Sequence, residues 1–550
     1  MPLLLVILPV LALYGAGYLV YGRFLARRLA IDPARPTPAC VLEDGMDYVP
    51  SRPGFLFAQH FSAISAAGPI IGPILAALWF GWVPALLWIA LGCVFLGAAH
   101  DFASLVASVR HGARSVADVM REHVGRSAFL GFLAFIWIAL LYVIVAFTDI
   151  TASLFTQAEF GGGVATSSLL YLGLAVTLGL VLRARPISAW MAALIFGPLL
   201  LGAIWAGQQA PIALPELAAT SPRKTWDLLI LAYCFIAAVL PMWLLLQPRG
   251  FLGGFLLYGF LAAGVVGLLF GGLTVQSPAF LGFRNADHGP LFPILFVTIA
   301  CGACSGFHGL VCSGTTSKQL SNERDAPLVG YGAMLAEGVV ALIALSTVMI
   351  GTQGGKPDEI FASGIARFLS VVGVPIGLAT AFGFLALTTF IYDTLDVTTR
   401  LARYILQELF GWKGSLGRYA ATAATIVPAA AFLLLLPEDA YAAVWSLFGT
   451  SNQLLAALTL TGIAVWLYRT GRSPSVALYP LLFLLAVTVS SLVLHVMDGL
   501  AATQLASPSG VIGLSAVVLL ILSASLVWLA LRSVRAAPVF REAALEPPGG

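Results

Sequence analysis

The chain has 550 residues, of which 60% are hydrophobic and only 10% charged, and its mean hydropathy is +0.96. Soluble proteins carry roughly 25% charged residues, so 28 basic and 25 acidic side chains cannot cover a water-soluble globule of this length. Six cysteines, mostly in apolar segments, exclude a disulfide scaffold, and a net charge of +3 scattered in small clusters speaks against nucleic acid. What remains is an all-α polytopic membrane protein whose first partner is the lipid bilayer.

A membrane-crossing helix needs about 20 mostly apolar residues. Fifteen segments qualify, near 2–22, 55–80, 84–109, 129–157, 165–182, 187–206, 227–246, 251–275, 291–312, 328–351, 377–396, 418–436, 441–468, 475–497 and 511–531. Arg23, Arg27 and Arg28 follow the first segment and nothing basic precedes it, which predicts a retained helix with its N-terminus outside. The same rule places Arg110 to Arg126, Arg183, Arg249, Lys318, Arg400, Arg403, Arg469 and Arg532 inside. Arg223, Lys224, Arg284, Lys356 and Arg367 fall on the opposite side, and the outside loops include Pro437–Glu438–Asp439 and Asp498 to Gly510. The expected topology has a periplasmic N-terminus and a cytoplasmic C-terminus. Two stretches, Arg110 to Arg126 and Val397 to Phe410, read as interfacial amphipathic helices.

His60 and His308 stand 248 positions apart, and Asp149-Ile150-Thr151 returns as Asp396-Val397-Thr398 after 247. That spacing also superimposes most apolar segments. It divides the chain into an N-terminal helix and cytoplasmic linker (1–54), repeat 1 (55–275), repeat 2 (291–531) and a cytoplasmic tail (532–550). Seven spans per repeat is an odd number, so the repeats would have inverted topology, the usual build of secondary transporters.

Two segments read as discontinuous helices. Ser62-Ala-Ile-Ser65-Ala-Ala-Gly68-Pro69-Ile-Ile-Gly72-Pro73 holds two Gly-Pro pairs, and each proline removes the N–H that would satisfy the carbonyl four residues back. Free carbonyls survive in a membrane only when buried in protein or lining a cavity, where they and the serine hydroxyls can hold a cation or a substrate. The alternative is a proline kink packed with small residues. The counterpart, Cys301 to Thr316, is rich in glycine and hydroxyl residues, with Ser305, Gly306, Ser313 and Thr315 as polar wall. Cys301, Cys304, His308 and Cys312 share one helical face, yet one helix alone is a poor tetrahedral site, so no metal is expected.

At these residues the chain resembles the carbon starvation protein A family of bacterial transporters. The resemblance rests on Phe292 to Thr316, Gln59 to Pro73, Leu240-Pro-Met-Trp-Leu-Leu-Leu-Gln-Pro-Arg249, Leu447-Phe-Gly-Thr-Ser-Asn452-Gln453, Asp47-Tyr-Val-Pro50 and Leu395-Asp-Val-Thr-Thr-Arg400, and it spans nearly the whole chain. It implies a bacterial inner-membrane carrier related to the amino acid–polyamine–organocation superfamily, taking up pyruvate with protons, or peptides when carbon runs short. This chain departs from the family pattern at Ala58-Gln59-His60, where relatives often have Gly-His-His, and at its three cysteines near His308.

An ionisable side chain in mid-membrane costs roughly 2.5–3.5 kcal/mol on insertion scales, so each needs a reason. The coupling candidates are His60, Asp101, Asp149, Glu337, Asp393, Asp396 and Thr398, with His308 alongside. Glu337, among apolar neighbours with no cation within a helical turn, fits proton coupling best. Histidine changes charge near neutrality without help, although a buried neutral histidine donating to a carbonyl is the plain alternative for both His60 and His308. Asp396 can instead pair with Arg400, one turn on, and Asp101 can be an interfacial residue near Arg110. No lysine lies deep in a span, so a substrate carboxylate would rely on backbone N–H groups near Gly68 and Gly72, on Ser62 and Ser65, on the second break, and on Asn452 and Gln453.

The expected function is import of a small nutrient: pyruvate or a related monocarboxylate with protons, with short peptides or sodium coupling as alternatives. No cofactor is expected beyond the coupling ion, H+ or Na+, and a homo-oligomer is left open. A membrane sensor, or an intramembrane enzyme built on Ser305 and His308, are rivals of another class; accumulation of solute against a gradient separates them.

Overall fold

The computed structural model of the chain describes residues 1–44, 47–65, 67–185, 187–216, 221–351, 355–435, 437–438, 441–502 and 507–536. Ala66 in the first broken segment, Asp439, and 537–550 of the expected tail lie outside them. In chain order the helices are α1 (Leu3–Arg28), α2 (Pro53–Ile64), α3 (Gly68–Phe80), α4 (Trp82–Arg110), α5 (Val116–His123), α6 (Arg126–Phe155), α7 (Gly161–Ala184), α8 (Ala189–Gln209), α9 (Pro222–Val239) and α10 (Leu246–Phe270). They continue as α11 (Leu291–Thr298), α12 (Gly306–Val311), α13 (Glu323–Met349), α14 (Pro357–Ser370), α15 (Ile376–Phe410), α16 (Gly414–Leu435), α17 (Tyr441–Arg469), α18 (Ser475–Ala501) and α19 (Pro508–Ala536). A two-residue antiparallel pair, Arg284–Asn285 with Gly289–Pro290, precedes α11.

The chain is a nearly all-helical multi-pass membrane protein. Among the described residues, twelve helices are long and apolar enough to cross a membrane, thirteen if α2 and α3, bent by 48°, form one broken span. The sequence predicts fifteen, and the other two are identifiable. The segment expected at 227–246 is α9, whose 18 residues include Arg223, Lys224 and Asp227. The segment expected at 291–312 divides into α11 and the six-residue α12, with 299–305 between them outside any helix.

Local chemistry sets the ends. Pro53 and Pro222 open α2 and α9, where the missing N–H is harmless. Ser115, Ser188 and Ser221 accept from the backbone N–H groups of Asp118, Met191 and Lys224 at the starts of α5, α8 and α9. The run from Val397 to Phe410 is not a separate interfacial helix. Nothing between Ile376 and Phe410 breaks the helix, so α15 runs on for 35 residues until Gly411 takes a left-handed φ of +68° and ends it. The other expected interfacial helix is reduced to α5, eight residues within 110–126.

The contacts gather the chain into two compact units, each drawn from both halves of the sequence. Unit 1 holds residues 1–5, 140–278 and 343–448; unit 2 holds 6–139, 279–342 and 449–550. In unit 1, α15 packs against α7, α8, α9, α10, α14 and α16. Glycine makes some of these approaches close: an added Cβ at Gly383 would lie 2.8 Å from Ala362 Cα, and one at Gly267 would strike the Phe368 ring. In unit 2, α4 packs on α12 and on the start of α13, α11 packs on α3 and α18, and α18 pairs with α19.

Candidate functional site

The two predicted helix breaks both form, and both lie in unit 2. Pro69 stands in the first turn of α3, so its missing N–H marks a helix start; only Pro73 interrupts the ladder. A Cβ at Gly68 would sit 2.4 Å from Cys301 Sγ, and one at Gly72 would sit 2.5 Å from the Thr298 carbonyl oxygen. These glycines let the first break lie directly on the second. Gly306 does the same against α17, where a Cβ would meet the Asn452 carbonyl oxygen at 2.4 Å. The Asn452 side chain ties down the second break: its Oδ1 accepts from the Phe307 N–H at 3.0 Å, and its Nδ2 donates to Ser305 Oγ at 3.0 Å and Cys301 Sγ at 3.3 Å. Gln453 Nε2 donates to the Phe296 carbonyl at 2.8 Å.

Beside these breaks lies a buried chain of acids and histidines. Asp101 on α4 holds His100 Nδ1 on Oδ1 at 2.7 Å and His308 Nδ1 on Oδ2 at 2.8 Å. The other nitrogen of His308 stands 3.1 Å from Glu337 Oε2 on α13, a charge contact whose angle leaves both Glu337 oxygens without an aligned hydrogen bond among the described residues. All four side chains are at most 1% exposed. His60 Nδ1 lies 2.9 Å from Thr316 Oγ1, and Cys312 Sγ lies 3.7 Å from His60 Nε2. Each helix that carries the cluster has a π-helical turn close by: Cys93–Gly97 before Asp101, Cys312–Thr316 after His308, and Pro327–Gly332 before Glu337. Such turns rotate the residues beyond them off the regular helical face, and they recur at functional sites.

The alternative pairing of Asp396 with Arg400 is not the one formed. Arg110 grips Glu323, Nε to Oε1 at 2.6 Å, so it is not the partner of Asp101. In unit 1, Asp396 Oδ2 meets Arg249 Nη1 at 2.5 Å and accepts from Tyr233 Oη at 2.9 Å, while Arg400 donates to the carbonyls of Ala237 and Leu240 at the end of α9. Arg249 also holds Asp393, Nη2 to Oδ1 at 2.7 Å. Asp149 is held by Arg223, Nη2 to Oδ1 at 2.8 Å. Sequence reasoning placed Arg249 in an inside loop and Arg223 on the wrong side of the membrane, yet both are buried on helices, at 1% and 5% exposure. The available signal was only that both arginines stand in apolar surroundings; nothing in the sequence joins them to Asp149, Asp393 or Asp396.

The other named residues scatter. Ser65 is buried at the break with its hydroxyl unpartnered among the described residues, whereas Ser62 is only half-buried. Ser313 and Thr315 donate back to the carbonyls of Gly309 and Val311 in their own helix, and Thr315 is exposed. Thr398 is buried on α15, in unit 1. The cysteine–histidine face does not converge: Cys301 goes to Asn452, Cys312 to His60, and His308 between carboxylates. Among the described residues, the group with metal-ligand spacing is His111, Glu122 and His123, with ligand atoms within 4.8 Å of one another, which the sequence reading missed.

Comparison with known proteins adds the family. The sequence profile of the family described as carbon starvation protein CstA matches residues 2–356 and 346–491. A peptide transporter CstA of Helicobacter pylori strain J99 is 33% identical over 561 residues, covering 88% of this chain and 81% of its own length. The pyruvate/proton symporter BtsT of Escherichia coli K12 is 29% identical over 578 residues, covering 88% and 80%. A crystal structure of the manganese transporter of Eremococcus coleocola aligns with 90% of this chain and 99% of its own, at 15% identity and a TM-score of 0.44, too low to transfer any feature. The profile's span takes in the broken helices, the Asp101–His308–Glu337 chain and Asn452, and the chain belongs to the carbon starvation protein CstA family.

Proposed function

We propose that this chain is a secondary active carrier that imports a small carboxylate-bearing nutrient, pyruvate first, by symport with protons. The observation that carries the reading is His308 set between two buried carboxylates, Asp101 and Glu337, beside two broken helices. An imidazolium there leaves the group one negative charge in excess, and an unpaired charge in an apolar interior costs several kcal/mol. One further proton, on Glu337, removes it. Loading and unloading that proton changes the buried charge by one unit, a lever strong enough to move packed helices between two arrangements. The start of α3 and the Ser65 hydroxyl offer donors for a substrate carboxylate. The same reading keeps the inverted repeats (55–275 and 291–531), with α9 and the broken α11–α12 segment as the seventh crossing of each, together with an N-out and C-in topology in a bacterial inner membrane.

Both nitrogens of His308 face carboxylates, and the Ser305 hydroxyl lies on Asn452, so the arrangement favours a carrier over a serine–histidine enzyme. Di- and tripeptides are the second substrate reading, supported by relatives whose names specify peptides. The test is uptake of labelled pyruvate into proteoliposomes under an inward proton gradient, then under a sodium gradient at clamped pH. Accumulation that needs the proton gradient and collapses in Glu337→Gln is expected. Accumulation driven by sodium alone removes the proton role, and none under either gradient moves the assignment to peptides.

A further inference from the structure

A second polar site lies in unit 1, at the far end of α15. Arg400, Arg403 and Arg418 line one cavity of about 480 Å³ together with Tyr404, Gln407 and Ser415. Arg400 and Arg403 are only 8% and 4% exposed. Arg400 places one nitrogen on the carbonyls of Ala237 and Leu240, at 2.7 and 2.9 Å, and Arg403 stacks over the Tyr404 ring at 4.2 Å. The Nε of each of the three is buried without a hydrogen-bond partner among the described residues. Among the described residues, no carboxylate lines the cavity. Of the acids flanking it on α15, Asp396 is engaged by Arg249 and Tyr233, and Glu408 is exposed and does not line the cavity.

Three guanidinium groups facing one space repel each other, and buried guanidinium N–H groups left unbonded cost free energy. Such a group is stable when an anion fills the space. The 22-residue α16 begins at the same cavity, so its first backbone N–H groups add donors. Planar, forked guanidinium donors suit tetrahedral phosphate oxygens, which can accept from several at once. Depth points the same way. At about 1.5 Å per residue α15 is roughly 52 Å long, against a hydrocarbon core of about 30 Å, so its arginine-bearing end projects to the level of lipid headgroups.

We propose that Arg400, Arg403 and Arg418 form a binding site for a phosphate-bearing anion, either the headgroup of an anionic phospholipid or a soluble phosphate. The site belongs to unit 1 and the acid–histidine chain to unit 2, and the proposal does not depend on the transport reading. The full-length protein, purified in a neutral detergent, is titrated with phosphatidylglycerol, with phosphatidylcholine and with inorganic phosphate. Native mass spectrometry counts bound lipid, and the thermal midpoint reports phosphate. Wild type is expected to retain phosphatidylglycerol over phosphatidylcholine, or to be stabilised by phosphate, with affinity at least tenfold weaker in Arg403→Gln/Arg418→Gln. The control Arg532→Gln/Arg535→Gln removes the same charge elsewhere and should bind as wild type does. A response to phosphatidylglycerol alone assigns lipid; a response to phosphate alone assigns a soluble anion. Equal binding by wild type and the double variant, or by neither, overturns the proposal. If the double variant fails to fold, Arg418→Gln, which removes the least buried of the three, must still weaken binding measurably, and unchanged affinity in it is equally fatal.

Discussion

Replacing Arg249 with glutamine separates structural from transporting acids. Arg249 contacts Asp396 at 2.5 Å and Asp393 at 2.7 Å and donates to Tyr233 Oη at 2.6 Å. Asp396 is 1% exposed at its side chain, Asp393 24%. Removing one partner of a buried pair costs about 3–5 kcal/mol, because the other charge stays buried. Most of that cost should fall on Asp396, since water reaches Asp393 and softens its loss. Arg249→Gln should therefore raise the unfolding equilibrium constant by roughly two to four orders of magnitude. Asp396→Asn in the same chain should recover part of it, with a coupling of about 2 kcal/mol in the double-mutant cycle. Equilibrium unfolding in mixed micelles, followed by tryptophan fluorescence, measures all three variants. A coupling below about 0.5 kcal/mol would refute the ion pair as a structural element and return Asp396 to the coupling candidates.

Three further outcomes follow from the geometry. Asp101→Asn keeps the shape but removes the charge that holds His100 and His308; proton-driven accumulation should fall at least about tenfold, a loss near 1.4 kcal/mol, while substrate counterflow at equal pH persists. If counterflow and accumulation fall together, the residue serves binding or folding and not coupling. Gly72→Ala places a methyl 2.5 Å from a backbone oxygen that cannot move aside; overpacking of about 1–3 kcal/mol should appear as a lower thermal midpoint. Gly253→Ala drives a methyl to 2.6 Å from Asp393 Oδ2, which should push that carboxylate off Arg249 and destabilise by a similar amount; a neutral result would mean that Asp393 has room to turn away.

The apolar lengths, the two breaks and their glycines were legible in the sequence because each depends on local chemistry: hydrophobic run length, proline's missing N–H, glycine's missing side chain. The partner of each acid was not. Asp396 and Arg400 sit one helical turn apart, the nearest pairing that spacing offers, yet Arg400 turns to the end of α9 and Asp396 to Arg249, 147 positions away in the chain. Asp101, His308 and Glu337 come from three helices, and the π-helical turns beside them shift the facing residues off the regular 3.6-residue period on which a sequence reading relies. The same limit hid the arginine-lined cavity: Val397 to Phe410 has the pattern of an interfacial helix, and only the uninterrupted α15 carries its arginines into a buried space.

The cation chosen for each acid carries the functional distinction. Arginine stays protonated at any physiological pH and offers its donors in a fixed fork, so an aspartate bound to it is held in one charge state and one geometry. Asp149 has such a partner in Arg223, and Asp393 and Asp396 share one in Arg249. Histidine exchanges its proton near neutrality and presents two distinct nitrogens, so one ring can link two carboxylates and pass a proton between them. His308 stands between Asp101 and Glu337, with His100 on the other oxygen of Asp101, and the proposed proton symport would use that link. Acids that look alike in sequence are thus divided by partner, arginine for one set and histidine for the other. A carrier needs both: ion pairs that stay closed through the cycle, and one buried group whose charge changes with each proton carried.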